Sequence, residues 1–465
     1  MSAFHPQGPF ADQSHRCSLL IPNCTPFPSL PFPSPLGSDI FQDGNWDQYL
    51  GYQYQSALPG YHRMVVDPCG HCQAAASQFP HDTVFGRVLL PILMGFDMMS
   101  NDDPQNKTWP PVPEGVSNIT MYVMGDDENG AAGNYWTTVP ELPAPTPTKL
   151  FLAAGGKLAA QAGTAKGSST YTYDPADPVK TIGGDNLLIP CGPLDQRPNE
   201  ELNRQDLLLF TGEPLAESLA IAGAVSATIF LSTNVVDTDV VVKLIDVYPS
   251  NSSNKGEAGA SILVLDGIAR ARWRGFPESN DPQPLSGSPS DVYELEINLW
   301  RTAYVFGAGH SVRLHVTSSN YNRFASTCRE APRSAGSGAM RHPRRPHFPT
   351  DLTNSSPLSN ISPQWPTPNT GVWMNETQGS KNVTATTSIR FGAGQASAVT
   401  LPVVPLSALP EFPVEEAVTS MLARHEAKFE ANVRRREATD VNFRTWLERR
   451  LRKAWDVIAR GAGSR

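Results

Sequence analysis

Three short stretches of the sequence combine residue types that can do covalent or metal chemistry. Gly309-His-Ser311 imitates part of the Gly-x-Ser-x-Gly turn on which many hydrolases present a nucleophilic serine. Ser252-Ser-Asn-Lys255 has the spacing of a serine-lysine pair, and Cys69-Gly-His-Cys72 offers three metal ligands within four residues. Each kind of chemistry needs a particular supporting element, so the neighbouring sequence decides whether these residues can act.

The neighbouring sequence argues against all three stretches. Arg313 would crowd the tight turn of a nucleophile, and Val312 to Val316 predict a strand where that turn requires a helix. The Ser-x-x-Lys stretch lies in a loop rich in Asn, Ser and Gly. Cys69 and Cys72 lack a second structured pair of ligands, so we interpret them as part of a packed loop or as a redox-sensitive pair. We therefore expect no metal ion and no cofactor.

The composition predicts strands and turns rather than a helical bundle. The 465 residues include 43 prolines and 36 glycines, and 40% are hydrophobic, which is enough to bury a core. The formal net charge is −8, but residues 424 to 465 carry a net +6, which leaves −14 for residues 1 to 423. Because an acidic body repels phosphate backbones, we expect no nucleic acid partner.

Apolar runs predict a few α/β elements followed by many short strands. Trp46 to Tyr54 predict a helix, Arg63 to Asp67 a buried strand, and Thr83 to Met99 a second helix. From about Asn118 the runs are short, β-branched and bounded by turn residues, which is typical of a β-sandwich. The predicted strands are Thr120–Met124, Lys149–Leu152, Leu207–Phe210, Thr228–Leu231, Val240–Ile245, Ser261–Val264, Val292–Ile297 and Val312–Val316. A further strand is predicted to lead into Leu401–Val404.

One uncharged run, Ser218 to Val236, is long enough to raise the question of a membrane span. It contains Ser, Thr, Asn and Gly among its apolar residues, so we interpret it as two buried strands. We expect no membrane span.

Changes in composition separate three segments from the predicted sandwich. Residues 1–36 predict a disordered Pro-rich lead, and residues 325–366 predict a flexible insertion. Residues 411–465 predict a charged helical tail that begins near Pro413. Acidic and basic residues interleave in this tail, which favours a solvated helix over a membrane-binding or nucleic-acid-binding helix.

Five ordered motifs resemble the C-terminal domain of X-prolyl dipeptidyl peptidases and cocaine-esterase-like (CocE/NonD) serine hydrolases. The motifs are Tyr171–Pro178 with Gly183-Gly184, Gly192–Arg197, Asp237–Val240 with Leu244–Pro249, Leu265–Arg270, and Gly309–Arg313 with Ser318–Phe324. The resemblance implies a mainly β chain with a jelly-roll, galactose-binding-like sandwich over residues 118–324 and 367–405. It also implies a partial α/β-hydrolase domain over residues 37–117, before the sandwich.

The same resemblance implies a serine hydrolase that cleaves peptides or esters through an acyl-enzyme. Gly37-Ser-Asp-Ile-Phe41 is similar to the family's turn that carries the catalytic acid, which makes Asp39 the candidate acid, and His71 matches the catalytic histidine. In such an enzyme the carboxylate holds the histidine tautomer that accepts the serine proton. No Gly-x-Ser-x-Gly occurs in the 465 residues, so we expect a truncated form that lacks its nucleophile and is inactive alone.

A second hypothesis is a non-catalytic jelly-roll module that binds a carbohydrate or a partner protein. Trp273, Trp300, Tyr304 and Tyr321 would then be available for stacking. The hydrolase hypothesis instead predicts, besides a peptide or ester substrate, a complementary hydrolase half or a second copy of the chain as partner.

The sequence leaves the compartment open between cytoplasm and secretory route. No signal peptide can be read at the N-terminus, whereas eight Asn-x-Ser/Thr sites favour passage through the secretory route.

Overall fold

The described part of the chain is mainly β. The computed structural model describes residues 34–35, 42–55, 63–68, 79, 115–126, 130–186, 190–250, 258–276, 278–279, 281–324, 328–329 and 383–423. Its strands are β1 (Ser34–Pro35), β2 (Met64–Asp67), β3 (Ile119–Gly125), β4 (Tyr135–Val139), β5 (Thr146–Ala153), β6 (Lys157–Ala159), β7 (Gly167–Tyr173), β8 (Leu207–Thr211), β9 (Leu219–Thr233), β10 (Asp237–Val247), β11 (Ser261–Arg270), β12 (Tyr293–Phe306), β13 (Ser311–Thr317), β14 (Cys328–Arg329), β15 (Ala385–Phe391) and β16 (Ala398–Val403). Its helices are α1 (Gln42–Gln55), α2 (Arg197–Glu200) and α3 over residues 414–423, with short 3-10 turns at Ala271–Trp273 and Leu406–Ala408.

These strands form one mixed sheet. Its main path runs β1-β2-β3-β12-β9-β16-β5-β6-β8-β13-β10-β11, with β4 paired to β3, β14 to β10, and β15 to both β7 and β9. β1, β2 and β3 are parallel, and β3 is also parallel to β12. The pairs among β5 to β16 are antiparallel, apart from one bridge between β6 and β8. We call this antiparallel region, residues 146–403, the sandwich.

The sandwich encloses an apolar core to which most of its strands contribute. Representative buried side chains are those of Tyr173, Phe210, Ile229, Leu244, Ile297, Leu314, Ile389 and Leu401. β11 and β12 are not paired in the sheet but pack against each other. Gly267 of β11 lies so close to Asn298 of β12 that a Cβ at residue 267 would overlap the Asn298 carbonyl oxygen. Glycine is therefore required at this closest approach.

Helix α1 and the parallel strands share a second, smaller core. Trp46 and Tyr49 are three residues apart and lie on one face of α1, as helical periodicity requires. Both are buried together with Met64 of β2, Ile119 of β3 and Val305 of β12. The helix, the parallel strands and the sandwich thus meet along β3 and β12.

Most strand predictions are confirmed. Each of the eight predicted strands overlaps an observed strand, and so do the predicted helix at Trp46 to Tyr54 and the strand at Arg63 to Asp67. In β12, exposed Glu294 and Glu296 alternate with buried Leu295 and Ile297, which is the pattern of a strand with one wet face. β16 overlaps the strand predicted to lead into Leu401–Val404, and α3 begins directly after Pro413, where a helix was predicted to start.

The prediction of two strands between Ser218 and Val236 is wrong. A single strand, β9, runs from Leu219 to Thr233. It pairs with β12 along one side and with β16 and β15 along the other, so it crosses the centre of the sheet without a turn. Gly223 has a φ of +130° and stays within the strand. Among the described residues, no helix is long and apolar enough to cross a membrane.

Six strands, β1, β4, β6, β7, β14 and β15, were not predicted. β7 has the sequence Gly-Ser-Ser-Thr-Tyr-Thr-Tyr, in which only Tyr171 and Tyr173 are buried. Its small polar residues face outward at the edge of the sheet, where it pairs only with β15. An apolar pattern cannot reveal a strand that buries so little.

Several predicted segments lie wholly or largely outside the described residues. The helix at Thr83 to Met99 and residues beyond 423 are among them. Ser34–Pro35, at the end of the predicted lead, pairs with β2 at the edge of the sheet. Cys328–Arg329, within the predicted insertion, pairs with the start of β10.

Candidate functional site

The proposed acid and base, Asp39 and His71, lie outside the described residues, but the neighbouring elements are described. β1 ends at Pro35 and α1 begins at Gln42, on either side of Asp39 in the sequence, and β2 ends at Asp67, four residues before His71. β1 and β2 are parallel, with Pro35 opposite Asp67, so the two strands end at the same level. The carboxyl ends of parallel strands are where α/β proteins bind ligands.

Polar contacts hold the first turn of α1 to the sandwich. Arg301 Nη1 donates a hydrogen bond to Asp43 Oδ1 at 2.6 Å, and Asn298 Nδ2 donates to Asp43 Oδ2 at 2.8 Å. The backbone carbonyl of Arg301 accepts a hydrogen bond from Gln42 Nε2 at 2.8 Å. Burial raises the pKa of Asp43, and the charge of Arg301 opposes that rise. We call Gln42, Asp43, Asn298 and Arg301 the Arg301 clamp.

A β-bulge in β12 turns Asn298 and Arg301 to the same side. Asn298 pairs with Ser226 of β9, and Arg301 pairs with Ala224. Between these two pairs β12 advances three residues while β9 advances two. Residues two apart on a strand share a face, so the extra residue of β12 brings both clamp residues to one face. Trp300 within the bulge has a φ of +74°, a value that non-glycine residues rarely adopt.

A small cleft lies where α1, β2, β3 and β12 meet. Its walls include Gln42, Asp67, Arg301 and Thr302. Oε1 of Gln42 and Oγ1 of Thr302 are buried and have no hydrogen-bond partner among the described residues. Buried polar atoms of this kind ordinarily bind an ordered water molecule. The cleft connects the Arg301 clamp with the carboxyl end of β2.

The Gly309-His-Ser311 stretch has a structural role. Ser311 is the first residue of β13, so the strand prediction is confirmed and the turn of a nucleophile is absent there. His310 lies between two buried carboxylates, with Nδ1 2.9 Å from Asp246 Oδ1 and Nε2 3.2 Å from Asp126 Oδ2. Burial acts to lower the pKa of His310, but the hydrogen bonds to Asp126 and Asp246 raise it to about 9. The charged imidazolium therefore ties the end of β3 to β10.

A second buried network centres on Glu200 of α2. Its carboxylate accepts hydrogen bonds from Arg313 Nη1 at 2.7 Å and from His315 Nε2 at 2.8 Å. Burial lowers the pKa of His315 to about 4, although Glu200 opposes this, so the imidazole is neutral at pH 7. Next to His315 across the sheet, burial lowers the pKa of Lys243 to about 8, and Asp266 opposes the change. This network fixes the segment around α2 to the outside of the sheet.

Three of the family-like motifs converge on Asp266. Its carboxylate accepts hydrogen bonds from Asn320 Nδ2 at 2.9 Å and from Arg323 Nη1. Gly184 lies against the same carboxylate, where a Cβ would come within 3.0 Å of both oxygens. Arg323 also lies over the ring of Trp300, 5.5 Å from its centroid, which connects this cluster with the bulge. The motifs can be read from the sequence, but their meeting at Asp266 was not predicted, because spacing along the chain does not report contacts across a sheet.

Two of the four aromatic residues considered for ligand stacking are buried. Trp300 and Tyr304 are 5% and 1% exposed, and Tyr304 donates its hydroxyl hydrogen bond to Asp246. Tyr321 is exposed, and Lys180 lies over its ring. Two of the four aromatics are therefore unavailable for stacking on a carbohydrate, whereas Trp273 is half-buried and Tyr321 is exposed.

The described residues contain no group of three or more His, Cys, Asp and Glu side chains arranged to hold a metal ion. The Cys69 to Cys72 and Ser252 to Lys255 stretches lie outside the described residues. Cys191 is buried as a free thiol.

Comparisons with known proteins identify the family. Residues 114–347 match the model of the X-Pro dipeptidyl-peptidase C-terminal non-catalytic domain. The chain is 34% identical over 223 residues to a cocaine esterase from Rhodococcus sp., and the match covers 45% of this chain and 35% of that protein. It is 24% identical over 209 residues to a putative serine esterase of Mycobacterium bovis, covering 41% of this chain and 32% of the esterase.

A solved structure shows the same fold. The crystal structure of an aminopeptidase from a marine sediment Thaumarchaeota archaeon superposes with a TM-score of 0.54 at 21% identity, over 81% of this chain and 55% of that one. The chain thus aligns with about a third of the length of each curated relative and about half of this structure. The matched domain spans half of the chain and includes the motifs that converge on Asp266, so the chain belongs to the X-Pro dipeptidyl-peptidase C-terminal non-catalytic domain family.

Proposed function

We propose that the chain forms part of a serine hydrolase that cleaves acyl bonds through an acyl-enzyme. In this proposal the sandwich is a C-terminal domain of jelly-roll type, and β1, α1, β2 and β3 are the end of an α/β-hydrolase domain. The order strand, helix, parallel strand supports that division, because parallel neighbours need a crossover connection such as α1. The names of the curated relatives favour an ester as the substrate, with a peptide as the alternative.

Asp39 and His71 act as acid and base in this proposal. The parallel pairing of β1 with β2 carries the assignment, because it ends the strand before Asp39 and the strand before His71 at one level of the sheet. Asp39 would accept a hydrogen bond from one ring nitrogen of His71 and so fix its tautomer. The other nitrogen would take the proton of the serine as it attacks the acyl carbon, and would then give that proton to the leaving group.

The nucleophilic serine is proposed to come from outside the 465 residues. None of the serines in the sequence lies in a Gly-x-Ser-x-Gly turn, and Ser311 begins a strand. The serine would reach His71 from a further segment of the same protein or from a second polypeptide.

The pairing of Asp39 with His71 can be tested in the chain as it stands, without a serine. A carboxylate beside an imidazole raises its pKa, so Asp39→Asn should lower the pKa of His71 by about one unit or more. The pKa is measured by NMR titration of the imidazole C–H signals, with His71→Asn to assign the resonance. Asp177→Asn, which changes a carboxylate that is 75% exposed on the sandwich, is the matched control and should leave the pKa unchanged. An equal pKa for His71 in the wild type and in Asp39→Asn would refute the assignment.

A further inference from the structure

We infer that Arg301, in the sandwich, is a positioning residue for the acid Asp39. The Arg301 clamp holds Gln42 and Asp43, three and four residues after Asp39 in the sequence, so the domain described as non-catalytic would set the place of a catalytic group. This inference rests on the proposed function, because it takes Asp39 as the acid.

The clamp contacts the N-terminal end of α1, which is the end nearest Asp39 in the sequence. Gln42 and Asp43, three and four residues after Asp39, are the first two residues of the helix. Their contacts are to the backbone carbonyl and the guanidinium of Arg301, so one residue of β12 fixes both. A second nitrogen of Arg301 lies 3.3 Å from Asp47, one turn further along α1. Hydrogen bonds between a guanidinium and carboxylates are strong and directional, so they fix the helix against sliding and rotation.

The clamp depends on an unfavourable backbone conformation. Without the bulge, Asn298 and Arg301 would face opposite sides of β12, and only one of them could reach Asp43. The bulge places Trp300 at a φ of +74°, which costs conformational free energy for a side chain of this size. Such strain persists where the surroundings hold it, and it is found most often at functional sites.

The family-like motifs supply that support. Trp300 is buried beneath Arg323, and Arg323 is bound to Asp266. Asp266 in turn leaves room only for glycine at residue 184. A continuous set of contacts therefore runs from the converging motifs through the bulge to Asp43. These motifs lie far from α1 in sequence, and the clamp gives them a role beyond the stability of the sandwich.

The experiment measures the pKa of His71, which a purely stabilising clamp would not change. The variants are Arg301→Gln, which removes the charge, Arg301→Lys, which keeps the charge but loses the planar fork, and Asp43→Asn, which removes the charge on the helix side. Arg390→Gln is the matched control, because Arg390 is a half-buried arginine of the sandwich that binds Ser232 at 2.6 Å, outside the clamp. Each variant is titrated by NMR beside the wild type and Asp39→Asn.

We expect Arg301→Gln and Asp43→Asn each to lower the pKa of His71 by at least half of the shift that Asp39→Asn produces. Arg301→Lys should give a smaller shift, and Arg390→Gln none. If Asp39→Asn lowers the pKa while Arg301→Gln and Asp43→Asn leave it at the wild-type value, the inference is wrong and the proposed function stands. If Asp39→Asn has no effect, the proposed function itself fails, and the inference with it. Should Arg301→Gln not fold, Asp43→Asn and Arg301→Lys decide the outcome by the same criteria.

Discussion

His310 shows how individual buried charges govern the stability of the sandwich. His310 lies between Asp126 and Asp246. The Tyr304 hydroxyl donates a hydrogen bond to Asp246, and the ring of Tyr248 packs against the imidazole. The pKa of His310 in the folded chain is about 9, compared with 6.5 for an unperturbed histidine. The folded state therefore holds this proton more tightly than the unfolded chain does.

This difference predicts a loss of stability at alkaline pH. The contribution of His310 is fully present below pH 6.5 and is lost as the pH rises through about 9. Between pH 6 and pH 8 we therefore expect the free energy of unfolding to fall by roughly 1–2 kcal/mol. Urea denaturation at pH 6, 7 and 8 measures the fall. Above pH 8 the buried Lys243, whose pKa is lowered to about 8, is neutral in the folded chain and adds stability as the pH rises, so higher pH values are left out.

Two variants of buried histidines control this measurement. His310→Gln should remove most of the fall between pH 6 and 8. His315→Gln should keep it, because His315 has a pKa of about 4 and is neutral throughout this range. An unchanged fall in His310→Gln would show that another group titrates.

At the scale of elements, the contact between β11 and β12 sets the position of the bulge. Gly267→Ala would drive a Cβ into the carbonyl oxygen of Asn298, the clamp residue at the start of the bulge. Backbone atoms on both sides must then shift, and we expect a loss of about 1–3 kcal/mol in the free energy of unfolding, typical of overpacking. Thermal or urea denaturation measures the loss.

Gly212→Ala is the matched control for this substitution. The nearest atom to a Cβ at residue 212 is the Val312 carbonyl oxygen at 3.5 Å, which is an ordinary contact. We expect a change of less than about 0.5 kcal/mol, as for other substitutions that create no clash. Equal effects of the two alanines would contradict the close packing of β11 on β12.

The elements differ in how far the sequence reveals them. β12 was predicted because its first half buries every second side chain, which leaves an alternating pattern. β13 was predicted because Val312, Leu314 and Val316 alternate with polar residues in the sequence, although most of those polar residues are also buried. β7 was missed because small polar residues fill its outer face. The bulge in β12 was also missed, since the φ of Trp300 is imposed by contacts with distant residues.

The candidate site was predicted only in part. Family resemblance nominates Asp39 and His71, but the Arg301 clamp joins residues more than 250 positions apart. Asp43 and Arg301 look like ordinary surface charges in the sequence, because their pairing depends on how α1 packs on β12. Contacts of this kind follow from the completed fold and not from local pattern.

At the scale of the whole molecule, the acid and base would belong to one part of the chain and the residue that positions them to another. The parallel strands and α1 meet the sandwich along β3 and β12, and they share a buried core there. A substitution in the sandwich, such as Arg301→Gln, would therefore change the position of Asp39 although the substituted residue does not contact the substrate. In the proposed acyl-transfer enzyme, this coupling would give the sandwich a role in the mechanism.

Fluorophosphonate labelling of the native protein tests the central claim, that the chain works as part of a serine hydrolase. The protein is captured from its source with an antibody against the sandwich, treated with the probe, and separated on a denaturing gel beside a heat-denatured control. We expect label on a polypeptide larger than 50.5 kDa that carries the sandwich, or on a second polypeptide captured with it, and no label after heating. An unlabelled 50.5 kDa band with no labelled partner would contradict the proposed serine hydrolase function.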